Sequence, residues 1–157
     1  MKRSFYYQLI VGVLCTAVGA IAFAADAKDE AIQKDRKLIE GTWRIVSLVL
    51  NGNDADEQDA RKLKVVNGAD GSWSLFFDGK EISKGSSTID PMGKPKTIDF
   101  TITEGEAKGN RYQGIYELSE GTRKLCFAPT GAARPDEFSS TQSNQRTLLT
   151  LEREKAK

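Results

Sequence analysis

The chain has 157 residues, with 23 Lys and Arg against 22 Asp and Glu, and its composition is 39% hydrophobic with no histidine. This length suits one domain with one core, and a nearly neutral chain lacks the clustered cations that would make nucleic acid or an anionic membrane surface its main partner. The absence of histidine excludes Ser-His-Asp and Cys-His nucleophile systems, His-containing zinc sites and His-ligated haem.

The first 24 residues have the pattern of a cleavable export signal. A basic start precedes the apolar run Leu9 to Ile21, which is too short to span a membrane, and Ala22-Phe23-Ala24 supplies the small residues of a cleavage site. We therefore predict cleavage after Ala24, a mature domain of residues 25–157, and a periplasmic or extracellular location. A lipid anchor on Cys15 is the alternative, but Leu14 stands where a lipoprotein signal has Gly or Ala, so we expect no stable membrane anchor.

The mature chain reads as one helix followed by about eight strands. Apolar residues at helical spacing predict a helix over 26–39. Period-two alternation predicts strands over 42–50, 63–66, 73–77, 80–86, 97–103, 111–118, 123–128 and 146–153. Asp78-Gly79 is the strongest hairpin signal, because both turn positions tolerate a positive φ. The last cysteine, Cys126, alternates with Leu125 and Phe127, which predicts a buried, inert thiol that forms no disulfide.

This order of elements predicts an all-β fold. An antiparallel meander of about eight strands can close into a barrel and so remove exposed sheet edges, with the short N-terminal helix preceding it. A barrel of this size is either filled by side chains or holds one small ligand. A sandwich is the alternative architecture.

Two resemblances agree with the barrel. Gly41-Thr42-Trp43 after a short helix resembles the Gly-x-Trp signature of the lipocalins, in which the Trp closes the barrel floor and a late Arg, here Arg153 by position, packs across it. The blocks 41–47, 95–105, 114–118, 124–129 and 134–140 resemble a family of exported planctomycete-type domains of unknown function. That resemblance covers residues 35–154 and implies a lipocalin-like fold, without an established activity or catalytic residues.

Several aromatic side chains are candidates for ligand contact inside the barrel. They lie on predicted strand faces that point inward, and the set comprises the aromatic residues Trp73, Phe77, Phe100, Tyr112 and Tyr116 together with Gly114. A phenol that faces inward needs a polar partner, and Gly114 between the two tyrosines leaves space. The alternative is that these residues are ordinary core.

Two functions from different classes remain open on this evidence. One is an exported lipocalin-like barrel that binds a small apolar or amphipathic ligand in the cell envelope, and the other is an interaction or structural module with a filled barrel and no ligand. An interior cavity of roughly 300 Å³ or more favours the first. We expect a monomer that is not an enzyme and has no metal or cofactor, because no nucleophile-base pair, metal cluster or phosphate loop is visible.

The long loop over 129–145 is the candidate for a function outside the barrel. Loops of this length in compact domains are usually functional or disordered. Arg134, Pro135 and Phe138 predict an ordered segment that either covers one barrel end or protects the edge between the last two strands.

Overall fold

The computed structural model of the protein describes residues 16–155. Most of the predicted signal peptide, Cys15 included, lies outside the described residues. The described part of the chain begins with helix α1 (Thr16–Ile39), which contains the predicted helix and extends it toward the N-terminus. The remaining elements are β1 (Gly41–Leu50), β2 (Asn53–Asp54), α2 (Glu57–Arg61), β3 (Leu63–Asn67), β4 (Ser72–Phe77), β5 (Lys80–Asp90), β6 (Lys96–Gly105), β7 (Arg111–Leu118), β8 (Thr122–Phe127) and β9 (Thr147–Arg153).

Eight of the strands form a closed antiparallel barrel. β1 pairs with β3, each later strand pairs with the next in chain order, and β9 pairs back with β1 from Trp43 opposite Arg153 to Leu50 opposite Thr147. The two-residue strand β2 is an accessory that pairs only with β1. The predicted all-β, lipocalin-like barrel with a short N-terminal helix is confirmed, and the continuous ring of strand pairs excludes the sandwich.

Local turn chemistry sets the tightest hairpin. Asp78 and Gly79 have φ values of 49° and 81° between β4 and β5, as predicted for a two-residue hairpin turn. The left-handed backbone is tolerated at Asp78 because a short polar side chain adopts it at low cost, and glycine adopts it at none.

The barrel has one end closed by α1, called here the closed end, and an opposite end called the mouth. At the closed end, a buried cluster that includes Ile39, Trp43, Ile45, Ile98 and Leu151 packs beneath the helix. The mouth carries the connections after β1, β4, β6 and β8. No helix within residues 16–155 combines the length and the apolar character needed to cross a membrane.

The loop over 129–145 packs against the outer wall of the barrel. Arg134 donates hydrogen bonds to Asp99 Oδ1 at 2.5 Å and to the Gly114 carbonyl at 2.8 Å, and the Cys126 thiol lies 3.5 Å from the Ser139 carbonyl oxygen. This part of the loop therefore covers the outer face of β6 to β8 instead of a barrel end. The predicted burial of Cys126 is confirmed, and that burial raises the pKa of its thiol.

Candidate functional site: the barrel cavity

The barrel interior contains a cavity of about 380 Å³. Its wall is built by the inward-facing residues of the strands, and aliphatic and aromatic side chains dominate it, among them Leu48, Leu75, Ile102, Leu125 and Leu149. The few polar side-chain groups in the wall belong to Asn67, Trp73, Ser83, Ser87, Tyr112, Arg123 and Thr147. The cavity therefore suits a mainly apolar occupant with a small number of polar contacts.

The cavity opens at the mouth. Its wall residues nearest the closed end, such as Ile45, Ile98 and Leu151, are buried. Those nearest the mouth, such as Leu48 and Leu63, are only half-buried. A ligand would therefore enter between the connecting loops and reach down toward α1.

An aromatic cluster forms one side of the cavity wall. The Phe100 ring stacks on Tyr112 with centroids 4.8 Å apart, and it meets Trp73 edge-on at 5.4 Å and Phe127 edge-on at 4.7 Å. Gly85 opposite Trp73 has no side chain, and a Cβ there would lie 2.4 Å from the indole ring. The absence of a side chain at Gly85 thus lets the indole lie flat against β5.

Three of the six residues proposed from the sequence line the cavity, namely Trp73, Phe100 and Tyr112. Phe77 lies at the end of β4 and is 40% exposed, outside the wall. Gly114 lies under the ring of Phe127, where an added Cβ would come within 2.4 Å of that ring. The space predicted at Gly114 is thus occupied by Phe127 and does not belong to the cavity.

Tyr116, the sixth of these residues, belongs to the closed end. It is fully buried, and its hydroxyl donates a hydrogen bond to Asp35 Oδ2 on α1 at 2.7 Å. Lys96 donates to the same oxygen at 2.7 Å. Burial, with the neighbouring Asp35 carboxylate, raises the pKa of Tyr116 well above its usual value. The polar partner expected for an inward phenol therefore exists, and it ties the helix to the barrel.

The floor residues proposed from the lipocalin resemblance meet at the same end. The Arg153 guanidinium lies 4.4 Å from the centroid of the Trp43 ring, and the Trp43 indole N–H donates to the last carbonyl of α1 at 2.7 Å. Arg153 also donates to the carbonyls of Leu38 and Glu40, at 2.8 Å for Glu40. Gly41 has a φ of 110°, and a Cβ there would lie 3.1 Å from Arg153 Nη1. These contacts satisfy carbonyls that the end of a helix leaves unpaired.

Sequence reasoning missed a polar group at the bottom of the cavity. Arg123 and Asn67 are only 3% and 7% exposed, and Arg123 Nη1 donates to Asn67 Oδ1 at 3.5 Å. Burial, with the nearby positive charge of Arg36, lowers the pKa of Arg123 to about 10. The signal was present in the sequence, because Arg123 precedes the inward-facing Leu125 by two residues and so shares its face.

Comparison of the chain with protein-family models, with curated proteins and with solved structures finds no match. Within residues 16–155, no three His, Cys, Asp or Glu side chains are grouped closely enough to hold a metal ion. The cavity and its polar groups are therefore the features from which a function can be argued.

Proposed function

We propose that the protein is an exported binding barrel that takes up one small apolar or amphipathic molecule. The cavity carries this proposal, because its volume of about 380 Å³ lies within the range of small-molecule sites, which begins at roughly 300 Å³. Each Å² of apolar ligand surface removed from water contributes about 25 cal/mol to binding. An apolar wall open at one end supplies that contribution without rearrangement of the barrel.

A binding role is favoured over catalysis by the chemistry of the wall. The polar side-chain groups that line the cavity in the described part of the chain are hydroxyls, one amide, one indole N–H and one guanidinium. None of them is a carboxylate placed beside a nucleophile, which general acid-base or nucleophilic chemistry would use.

Export is proposed from the N-terminal sequence and from the resemblance to exported planctomycete-type domains. The expected mature chain begins at Ala25 or Asp26. N-terminal sequencing of the protein purified from its native envelope tests this. Acylation at Cys15, or a mature chain that still begins at Met1, would overturn it.

The binding proposal is tested with N-phenyl-1-naphthylamine, a neutral dye that fluoresces in apolar surroundings. We expect saturable binding with a stoichiometry of about one dye per chain, as a single cavity requires. The dye should quench tryptophan emission, because it absorbs where tryptophan emits and Trp73 lines the cavity.

A matched pair of variants on β3 separates cavity binding from binding elsewhere. Val65 faces the cavity, whereas its neighbour Val66 faces outward and is 39% exposed. Val65→Trp fills part of the cavity and should weaken dye binding by about tenfold or more, which corresponds to about 1.4 kcal/mol. Val66→Trp should leave the affinity unchanged.

The opposite results would support the filled-barrel alternative. If the folded wild type binds no dye, the interior does not accept a ligand, and an interaction or structural role takes the place of binding. Equal losses in Val65→Trp and Val66→Trp would place the dye outside the cavity and would also refute the proposal.

A further inference from the structure

A buried guanidinium without a counter-ion lies at the bottom of the cavity. The Arg123 guanidinium forms no ion pair with any carboxylate among residues 16–155, and its one hydrogen bond there is the 3.5 Å contact to Asn67. The buried carboxylate on the helix, Asp35, is engaged by Tyr116 and Lys96 at 2.7 Å each. The positive charge of Arg123 is therefore not neutralised by the protein.

Two side-chain donors without a protein acceptor lie together at this point. Arg123 Nε and Asn67 Nδ2 are buried and have no hydrogen-bond partner among the described residues, and the two side chains contact each other. Both residues belong to the cavity wall. A third unpartnered donor of the wall, Trp73 Nε1, belongs to an indole that lies against Gly85 on β5. An acceptor on a ligand placed beside Arg123 and Asn67 satisfies both of their donors.

The energetic cost of this arrangement is large. A buried charge without a partner destabilises a protein strongly, and each buried donor left unsatisfied adds to that cost. The lowered pKa of Arg123, about 10, still leaves the group protonated near neutral pH. An anion placed against it would satisfy the charge and the donors together.

We infer that Arg123 and Asn67 bind the carboxylate of an amphipathic ligand whose hydrocarbon chain fills the apolar cavity above them. This inference rests on the proposed binding function and specifies its ligand class. The ligand enters with its head group first, so that the charge reaches the bottom and the tail points to the mouth.

A carboxylate fits this site better than a bare inorganic anion or a phosphate ester. The unpaired Nε edge of a guanidinium matches the two oxygens of a carboxylate in a bidentate pair. The neighbouring cation Arg36 is not among the residues of the cavity wall, and it donates to the Ser87 hydroxyl at 2.9 Å and to the Ser87 carbonyl. Among the described residues, Arg123 therefore supplies the guanidinium that faces the cavity, and the apolar wall above it matches a hydrocarbon tail.

The test compares decanoate with 1-decanol, which share a chain and differ in the head group. Isothermal titration calorimetry on the wild type should show decanoate binding about tenfold or more tightly than the alcohol. The side-chain NMR resonance of Arg123 Nε–H should shift when decanoate is added and stay in place with decanol. Neither measurement depends on a variant.

Arg123→Met removes the charge and keeps an unbranched side chain of similar length. Replacement of a buried ion by an apolar side chain is often neutral or stabilising, so this variant should fold. It should lose the preference for decanoate and bind decanol at least as well as the wild type does. The matched control is Arg111→Met, which removes an exposed arginine that pairs with Asp99 on the outer face and should change neither affinity.

The outcomes separate the two proposals. If decanol, decanoate and the neutral dye all fail to bind, the proposed function itself is wrong. If decanol and decanoate bind equally to the wild type, or Arg123→Met keeps the preference for decanoate, the cavity binds ligands but the carboxylate site is refuted.

Discussion

The floor of the barrel offers a sharp test of how the closed end is held together. Trp43 is fully buried, with Arg153 over its ring at 4.4 Å, and both side chains donate hydrogen bonds to carbonyls at the end of α1. Trp43→Ala and Arg153→Ala therefore remove contacts that depend on each other. The two variants and the double variant form a thermodynamic cycle.

The expected losses follow from these contacts. Trp43→Ala should lower the free energy of unfolding by about 3–5 kcal/mol, as other large aromatic truncations in cores do. Arg153→Ala loses hydrogen bonds from a charged donor to helix carbonyls, but its side chain is partly exposed, so we expect about 2 kcal/mol. Either substitution alone already removes the cation–π contact, so the coupling free energy between Trp43→Ala and Arg153→Ala should be about 1–2 kcal/mol.

The assay is urea unfolding followed by far-ultraviolet circular dichroism, which does not depend on tryptophan emission. Trp43→Phe keeps a ring under Arg153 while it removes the indole N–H, and it should lie between the wild type and Trp43→Ala. Arg44→Ala is the control, because Arg44 pairs with Glu154 on the outer surface and should contribute less than about 1 kcal/mol. If the loss in the double variant equals the sum of the two single losses within about 0.3–0.5 kcal/mol, Trp43 and Arg153 do not stabilise the floor together and the reasoning is refuted.

Tyr116→Phe should lower the free energy of unfolding by about 1–3 kcal/mol, since it removes one of the two 2.7 Å donors to a buried carboxylate on α1. Tyr112→Phe loses only a 3.4 Å contact and should cost less than about 0.5 kcal/mol in urea unfolding. The pKa of Tyr116 is raised above its unfolded value of 10.0, so above that pH the unfolded state releases a proton that the folded state keeps, and the free energy of unfolding of the wild type should fall as the pH rises. The same fall in the free energy of unfolding of Tyr116→Phe would contradict this. Arg134→Met removes the hydrogen bonds to Asp99 and to the Gly114 carbonyl, so it should speed amide hydrogen exchange throughout 129–145, whereas Arg111→Met should not. Unchanged exchange in Arg134→Met would show that other contacts hold the loop.

The strands and their inward faces could be predicted because their signals are local. Ile98, Phe100 and Ile102 alternate with polar residues, and the structure places all three in the cavity wall. The turn at Asp78-Gly79 needs only two residues with positive φ, which the sequence shows directly.

The cavity could not be predicted, because it depends on how side chains of neighbouring strands fill the interior. The sequence predicts space at Gly114, but the ring of Phe127 from the next strand occupies that space. Gly85 lies opposite Trp73 because a register shift between Leu75 and Phe76 moves the β4–β5 pairing, and the sequence does not mark that shift. Arg123 could be predicted in part. Its inward direction follows from the alternation of side chains along β8, but the absence of a counter-ion depends on every side chain that reaches the interior.

The pairing of β1 with β9 has a consequence for the order in which the chain is made. Trp43 and Arg153 stand at opposite ends of the domain in sequence, so the last pairing cannot form until synthesis has passed β9. Contacts between such distant residues form slowly, because a long loop must close first. A chain that ends before Thr147 would leave β1 and β8 each with an open edge, and open edges pair with other chains. Loss of the final strand should therefore lead to aggregation instead of a smaller barrel.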